Sequence, residues 1–310
     1  MIDDTIAAQP TVPPRKPARL WWRVLLRLAI LFVAIPYVAI GGLMVFMQRQ
    51  LLFVPTKTSP LLAAEYSTAA SPIEDVTIPA ANGLVLHGWR FHSPSGQPQT
   101  GKRLVLYFPG NAGCRRDRIS DCRDFTQLGC EVLLMDYRGY GDNEGSPSEV
   151  LLAADARRAW MYATQELGYH PSELIFFGES LGGAVAIRLA AEFSIVGDPP
   201  AALILNSTFA SMGDTVAWHF PAYPFRYFLL DPFPSIKRIP RVDCPLLQFH
   251  GTVDETVPFA HGERLFERAA PVANAVPKRF VTIPGAGHNM ISAADMSEAM
   301  RTLFDQLDAR

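Results

Sequence analysis

Leu174-Ile175-Phe176-Phe177-Gly178-Glu179-Ser180-Leu181-Gly182-Gly183 is the stretch that decides how this chain folds. Its first four residues form an apolar run rich in β-formers and read as a buried strand. The following Ala184 to Ala191, AVAIRLAA, reads as a helix rich in small residues. The backbone must therefore turn from strand to helix at Ser180. Gly178 and Gly182 flank that turn because side chains there would collide as it tightens. Such a turn lifts a serine hydroxyl out of the sheet at a helix N-terminus. There the Leu181 amide and the helix dipole can stabilise a developing oxyanion. A bare Gly-x-Ser-x-Gly is common in loops; the strand before it and the helix after it give this one its weight.

Outward from the turn the same alternation runs through the chain. Ile73 to Pro79 and Leu84 to Phe91 read as a hairpin turning at Ala81-Asn82-Gly83. Leu104 to Phe108 is a strand, followed by the Gly-rich Pro109-Gly110-Asn111-Ala112-Gly113 and a polar helical stretch to about Leu128. Glu131 to Asp136 is the next strand, and Ser148 to Leu167 a helix with Ser148 as its N-cap. Ala202 to Asn206, Leu246 to His250 and Arg279 to Ile283 are further strands, and Ser292 to Leu307 is the last helix. The expected fold class is α/β: a mostly parallel eight-stranded sheet with helices on both faces. Ligands of such sheets bind outside the carboxyl ends of the strands, where the candidate residues below all fall.

A serine hydroxyl does not attack unaided; it needs a base, and the base an orienting acid. Of seven histidines, His288 in Gly285-Ala286-Gly287-His288-Asn289 directly follows the last strand and is the expected base. His87 and His92 belong to the hairpin, His170 precedes the strand of Ser180, and His219 and His261 lie in or near helices. His250 ends a strand but reads as a structural residue shaping the turn at Asp254. Asp254, in His250-Gly251-Thr252-Val253-Asp254, is the expected acid, with Glu255 as fallback and Asp231 and Asp243 as weaker choices. Alternatively, Asp254 caps the helix opening near Pro258. The second oxyanion donor is expected in Phe108-Pro109-Gly110-Asn111-Ala112-Gly113, at the amide of Asn111. Without Gly-Lys-Ser/Thr or a Gly-x-Gly-x-x-Gly opening a helix, that loop does not read as a phosphate cradle.

With these motifs in the order FPGNAG, DYRGYG, GESLGG, HGTVDETVP and GAGHN, the chain resembles the α/β-hydrolase superfamily over about residues 50 to 308. It is most similar to single-pass, membrane-anchored serine hydrolases related to the serine-aminopeptidase and prolyl-oligopeptidase branches. The resemblance implies the α/β-hydrolase fold, a triad of Ser180, Asp254 and His288, no cofactor and no metal. It also implies hydrolysis of an ester, thioester or amide in a small-molecule, lipid or acylated substrate. Asn143 departs from the pattern, since relatives often carry serine after the Arg-Gly-Tyr-Gly turn; it is no triad member. Members without activity exist in the superfamily, so a binding or scaffolding protein at the membrane is the alternative. A complete triad argues against it.

Upstream, Leu28 to Met47 is a run of 20 residues without a charge, enough at ~1.5 Å per residue to span a hydrocarbon layer of ~30 Å. Pro36 and Gly41-Gly42 are tolerated inside a membrane, and Trp21 and Trp22 suit its interface. The competing readings are a core helix and a cleaved signal peptide; the run continues past the cleavage-like Ala39-Ile40-Gly41. The expected organisation is a disordered tail at 1–19, an anchor at 20–47 and a hydrolase domain at 48–310. Arg15, Lys16, Arg19, Arg23 and Arg27 precede the run, against Arg49 and Lys57 after it. The N-terminus is therefore expected in the cytoplasm and the domain outside, periplasmic in a bacterium.

A net charge of −2 over 310 residues, with 49% hydrophobic and 19% charged, excludes a nucleic-acid partner. Nothing in the sequence sets an oligomeric state. Cys114, Cys122, Cys130 and Cys244 show no Cys-x-x-Cys pair and no metal-like spacing, and read as free or buried thiols, with a disulfide as the alternative. Cys114 and Cys122, if on one helix, would lie ~12 Å apart, beyond the ~7 Å limit for a bridge. The insertion at 207–243 is crowded with aromatics, and Trp218, Phe220 and Tyr223 are expected to line an apolar substrate pocket beneath a small lid. Otherwise it is a packed connector.

Overall fold

Alternation along the strands sorts their side chains into two layers. In Leu104–Phe108, Leu104, Leu106 and Phe108 enter one core cluster while Val105 and Tyr107 enter the other. The computed structural model describes residues 18–94, 102–270 and 278–309. The strands are β1 (Val54–Pro55), β2 (Ile73–Pro79), β3 (Val85–Phe91), β4 (Leu104–Phe108), β5 (Ala112–Gly113), β6 (Glu131–Met135), β7 (Leu174–Glu179), β8 (Ala202–Asn206), β9 (Leu246–Gly251) and β10 (Arg279–Ile283). Eight of them form one sheet in the order β10-β9-β8-β7-β4-β6-β3-β2. Every pairing is parallel except β6 with β3 and β3 with β2. The expected sheet is therefore present, with strand limits within a residue or two of those read from the pattern.

The helices are α1 (Ala18–Ala29), α2 (Ile35–Phe46), α3 (Gln48–Leu52), α4 (Ile119–Gln127), α5 (Glu149–Met161), α6 (Leu181–Val196), α7 (Met212–His219), α8 (Ser235–Arg238), α9 (Phe259–Arg268) and α10 (Ala293–Asp308). Residues of α5, α6 and α9 enter the first core cluster, and those of α4 and α10 the second, so both faces are covered. Ser148 caps α5, its side chain accepting from the Leu151 amide, as its position before the apolar run predicts.

From β4 the chain moves to β6 on one side, then returns to β7 on the other and continues outward through β8, β9 and β10. The strand order thus reverses between β4 and β7. In sheets of this kind the loops that follow the two strands at the reversal flank the ligand site. Those loops are the Gly-rich Pro109 to Gly113 and the turn at Ser180.

The chain divides into two compact units between Phe46 and Met47. In the first, Trp21–Phe46 is long and apolar enough to cross a membrane, with 26 residues, a mean hydropathy of 2.4 and none of it buried in the structure. At ~1.5 Å per residue it is about 39 Å long. Its middle, Ile30–Ala34, widens into a π-type turn in which the Ile35 amide bonds Ile30 O. Pro36, which has no N–H for the ordinary ladder, follows at once. Residues 1–17 of the expected tail lie outside the described residues, whereas Ala18 and Arg19 already belong to α1. The unbroken run of helix formers from Ala18 to Leu28 carries the helix back past the apolar stretch.

All four cysteines are free and buried. Cys114 is extended (φ −153°) and precedes the Arg115–Arg118 turn, so it does not share a helix with Cys122.

Candidate active site

Ser180 sits at φ 50°, ψ −110°, a conformation that L side chains rarely adopt, between the last residue of β7 and the first of α6. Its amide is held by Asn206 O at 2.8 Å. A Cβ on Gly178 would stand 2.4 Å from Gly183 Cα, and one on Gly182 only 1.9 Å from Phe108 O. The two glycines therefore let α6 start hard against β4, which is what brings the Gly-rich loop beside the serine.

Two loops from the neighbouring strands complete the cluster. Asp254 follows β9, and its Oδ1 accepts the Thr256 and Val257 amides at 2.9 and 2.7 Å. It thus shapes its own turn and does not cap α9, whose N-cap is Pro258 with no side-chain cap, and it still presents Oδ2 to the His288 Nδ1 at 2.7 Å. His288 Nε2 lies 3.0 Å from Ser180 Oγ. The acid and histidine loops are also joined directly, by Val253 N to Ala286 O at 3.1 Å and Gly285 N to Thr252 Oγ1 at 2.9 Å. Asp254 has no exposed side-chain surface and His288 retains 12%, so the chain of groups opens to solvent at the serine end. With a carboxylate on Nδ1, the imidazole carries its proton there, which leaves Nε2 to accept from the serine hydroxyl.

Burial by itself would raise the Asp254 carboxyl, but hydrogen bonds from His250 and His288 hold it well below the usual carboxylate range. His250 is fully buried; its Nε2 lies 2.9 Å from Val257 O and 3.3 Å from Asp254 Oδ2. Its sequence-based role as a shaper of this turn agrees with that position. Among the described residues no group of three or more His, Cys, Asp or Glu side chains could hold a metal ion.

Asn111 lies in the loop after β4, whose last residue Phe108 pairs with Gly178 of β7. Glu179, beside Ser180, receives two hydrogen bonds from Arg118, Nε to Oε2 at 2.6 Å and Nη2 to Oε1 at 3.1 Å. Tyr107 Oη adds a third at 3.3 Å. Sequence reasoning missed this pairing; an arginine five residues after the Gly-rich loop carries no pattern of its own. Asn143 is buried, takes the His87 amide on Oδ1 at 2.7 Å and donates to Asp136 O at 2.7 Å. It therefore holds the DYRGYG turn against β3.

The aromatic insertion forms a cluster of its own. Tyr223 stacks on Phe225 at 4.7 Å, and Phe220 meets the same ring edge-on at 5.8 Å. Trp218 is 61% exposed. Helix α7, which carries Trp218 and has Phe220 as its C-cap, is linked to the acid loop through His219 Nε2 and Thr256 O, 2.9 Å apart.

The sequence profile of the serine aminopeptidase S33 family of hydrolases matches residues 102–231. An uncharacterized protein of Mycobacterium tuberculosis, Rv2307c, is 40% identical over 284 residues, covering 90% of this chain and 95% of its own length. The chain belongs to the α/β-hydrolase superfamily. This α/β hydrolase is also 35% identical over 187 residues to the lysophosphatidylserine lipase ABHD12 of Danio rerio, across 56% of this chain and 48% of that one. It thus spans about half the length of that relative. The crystal structure of an α/β hydrolase from Vibrio vulnificus matches the fold with a TM-score of 0.59 at 23% identity, over 75% of this chain and 80% of that one. The chain is a hydrolase.

Proposed function

We propose that this hydrolase is a membrane-anchored serine hydrolase that cleaves an ester, thioester or amide through an acyl-enzyme. The observation that carries the proposal is the unbroken line from Asp254 Oδ2 to His288 Nδ1 at 2.7 Å and from His288 Nε2 to Ser180 Oγ at 3.0 Å. Ser180 Oγ attacks the substrate carbonyl while His288 Nε2 takes its proton. The carbonyl oxygen becomes an oxyanion, received by the amides of Leu181 and Asn111. As the tetrahedral intermediate collapses, His288 returns the proton to the leaving alcohol, thiol or amine. Water then repeats the cycle on the acyl-serine, with His288 again as base. Asp254 keeps the imidazole in its working tautomer and balances the transient positive charge.

The acyl part of the substrate is apolar in this proposal, and the Trp218, Phe220 and Tyr223 insertion is its receiving surface. Support comes from the tie between α7 and the acid loop and from the lipase named among the relatives. Trp21–Phe46 is the anchor, with the N-terminus cytoplasmic and the domain on the far side, because Arg23 and Arg27 lie toward its N-terminal end.

Labelling with a fluorophosphonate probe, with and without Ser180→Ala, tests the nucleophile: the wild type is labelled and the variant is not. Labelling of both proteins to the same extent would remove Ser180 from the mechanism. p-Nitrophenyl esters of increasing chain length, compared with aminoacyl anilides, then separate esterase from peptidase activity.

A further inference from the structure

Two parts of the chain outside the triad converge on the loop after β4. One is the DYRGYG turn, Asp136 to Gly141; the other is Gln48 to Val54, which follows the apolar helix. Tyr137 Oη donates to Pro109 O at 3.0 Å, and Tyr140 Oη donates to Asn111 O at 2.8 Å. Asn111 O takes a second hydrogen bond from Val54 N at 2.9 Å. The Asn111 side chain reaches the other way, its Nδ2 donating to Leu52 O at 2.9 Å. β1 and β5 extend the contact as a short parallel pair, Val54 with Ala112 and Pro55 with Gly113.

The geometry has a specific consequence. Pro109 O and Asn111 O belong to the two peptide planes on either side of the one that carries the Asn111 N–H. Pinning both outer planes fixes the Cα atoms of Gly110 and Asn111, between which the middle plane is hung, so the loop cannot shift and carry the Asn111 N–H away, although Gly110 has no side chain to restrict it. Tyr137 and Tyr140 are both buried. Burial raises both phenols, so they stay protonated and able to donate. At its outer end the same segment grips the insertion: Gln48 Oε1 accepts Leu230 N at 2.7 Å, and Arg49 Nε donates to Asp231 Oδ2 at 2.7 Å.

We infer that Tyr140 and the segment Gln48–Val54 are positioning elements for the Asn111 amide, so that the stretch after the apolar helix is a wall of the active site and not a linker. This deepens the proposed function and rests on Asn111 N–H being an oxyanion donor. Removing an oxyanion donor outright costs about 10²–10³ in kcat, and misplacing a reacting group by ~1 Å about 10². Loosening the donor while leaving it present therefore falls at roughly ten- to hundredfold.

The test uses the full-length protein in detergent or nanodiscs, with Tyr140→Phe and Asn111→Ala as separate variants. The first leaves Val54 N on the Asn111 carbonyl; the second keeps the amide but releases the loop from Leu52 O. Each is expected to lower kcat on a p-nitrophenyl ester roughly ten- to hundredfold, with KM changed by less than about twofold. Affinity for an alkyl boronic acid, which forms a tetrahedral adduct on Ser180, should fall by the same factor. Wild-type kcat and boronate affinity in both variants would overturn the inference. So would a rise in KM alone, or a fall in kcat without loss of boronate affinity, since a merely structural role gives those patterns. Melting temperatures identify a variant that fails to fold, and the other then decides. A Ser180→Ala control that still turns over ester would instead sink the proposed function, which separates the two failures.

Discussion

Gly182→Ala is the sharpest probe of how the proposed active site is built. In an exposed helix this change stabilises by about 1 kcal/mol, because glycine is the poorer helix former. Here the added Cβ would stand 1.9 Å from Phe108 O, 2.4 Å from Phe108 C and 2.6 Å from Pro109 O. Ordinary contact begins near 3.4 Å, so about 1.5 Å of separation must be found, and every atom in the way is backbone. Overpacking of this kind costs about 1–3 kcal/mol. Less the helix gain, the net loss is about 0–2 kcal/mol, roughly 2–4 °C in Tm per kcal/mol for a domain of this size. The larger effect is on rate. The displaced backbone leads into Gly110 and Asn111, and a misplacement of ~1 Å costs about 10² in turnover. The assay is kcat on a short p-nitrophenyl ester beside thermal melting. Gly213→Ala in α7 is the control, since its Cβ would meet nothing nearer than Arg226 Cβ at 3.6 Å; it should leave kcat at wild type and, through the helix gain, not lower Tm. Wild-type kcat in Gly182→Ala would refute the claim that close approach of α6 to β4 sets the oxyanion site.

Other outcomes follow from the site and its surroundings. Asp254→Asn should lower kcat by about 10⁴, because an amide favours the wrong imidazole tautomer; steady-state kinetics on the folded variant measures it. Because the native Asp254 carboxyl is held low by His250 and His288, its contribution to stability is present above about pH 4 and is lost as pH falls further. The Asp254 carboxyl should therefore add no proton to the acid limb of kcat/KM above about pH 4, and a carboxyl protonation seen there would contradict this. The four thiols should not react with Ellman's reagent until the protein unfolds, since each is buried and burial pushes each thiol up. Rapid reaction of one thiol in the native state would count against the packing described. In the proposed orientation, protease added outside intact spheroplasts digests the hydrolase domain; protection that ends only on lysis of the membrane reverses it.

Much of the architecture was legible because its signals are local. Leu104 to Phe108, Ala202 to Asn206 and Arg279 to Ile283 are strands at the residues where the apolar runs lie. Ser292 caps α10 through a reciprocal pair with Asp295, a pattern visible three residues apart. Ser180, Asp254 and His288 could be named for the same reason: each follows a strand at the sheet edge where such folds bind ligands. The helix limits near the N-terminus were less legible. Charges at Arg23 and Arg27 end an apolar run but do not end a helix, so α1 extends back to Ala18.

By itself, then, the sequence determined the strand–helix alternation, the serine turn and the order of the candidate groups, because periodicity, glycine and capping act between near neighbours. Only the tertiary structure decided what holds those groups in place. Tyr137 reaches Pro109 across 28 positions and Tyr140 reaches Asn111 across 29. Asn111 meets Leu52 across 59, and Arg118 meets Glu179 across 61. Contacts at such separations leave no periodic mark on the chain, and a tyrosine hydroxyl can serve any carbonyl within reach. Which carbonyl that is depends on β4 lying between β6 and β7, a strand order formed only when the sheet assembles.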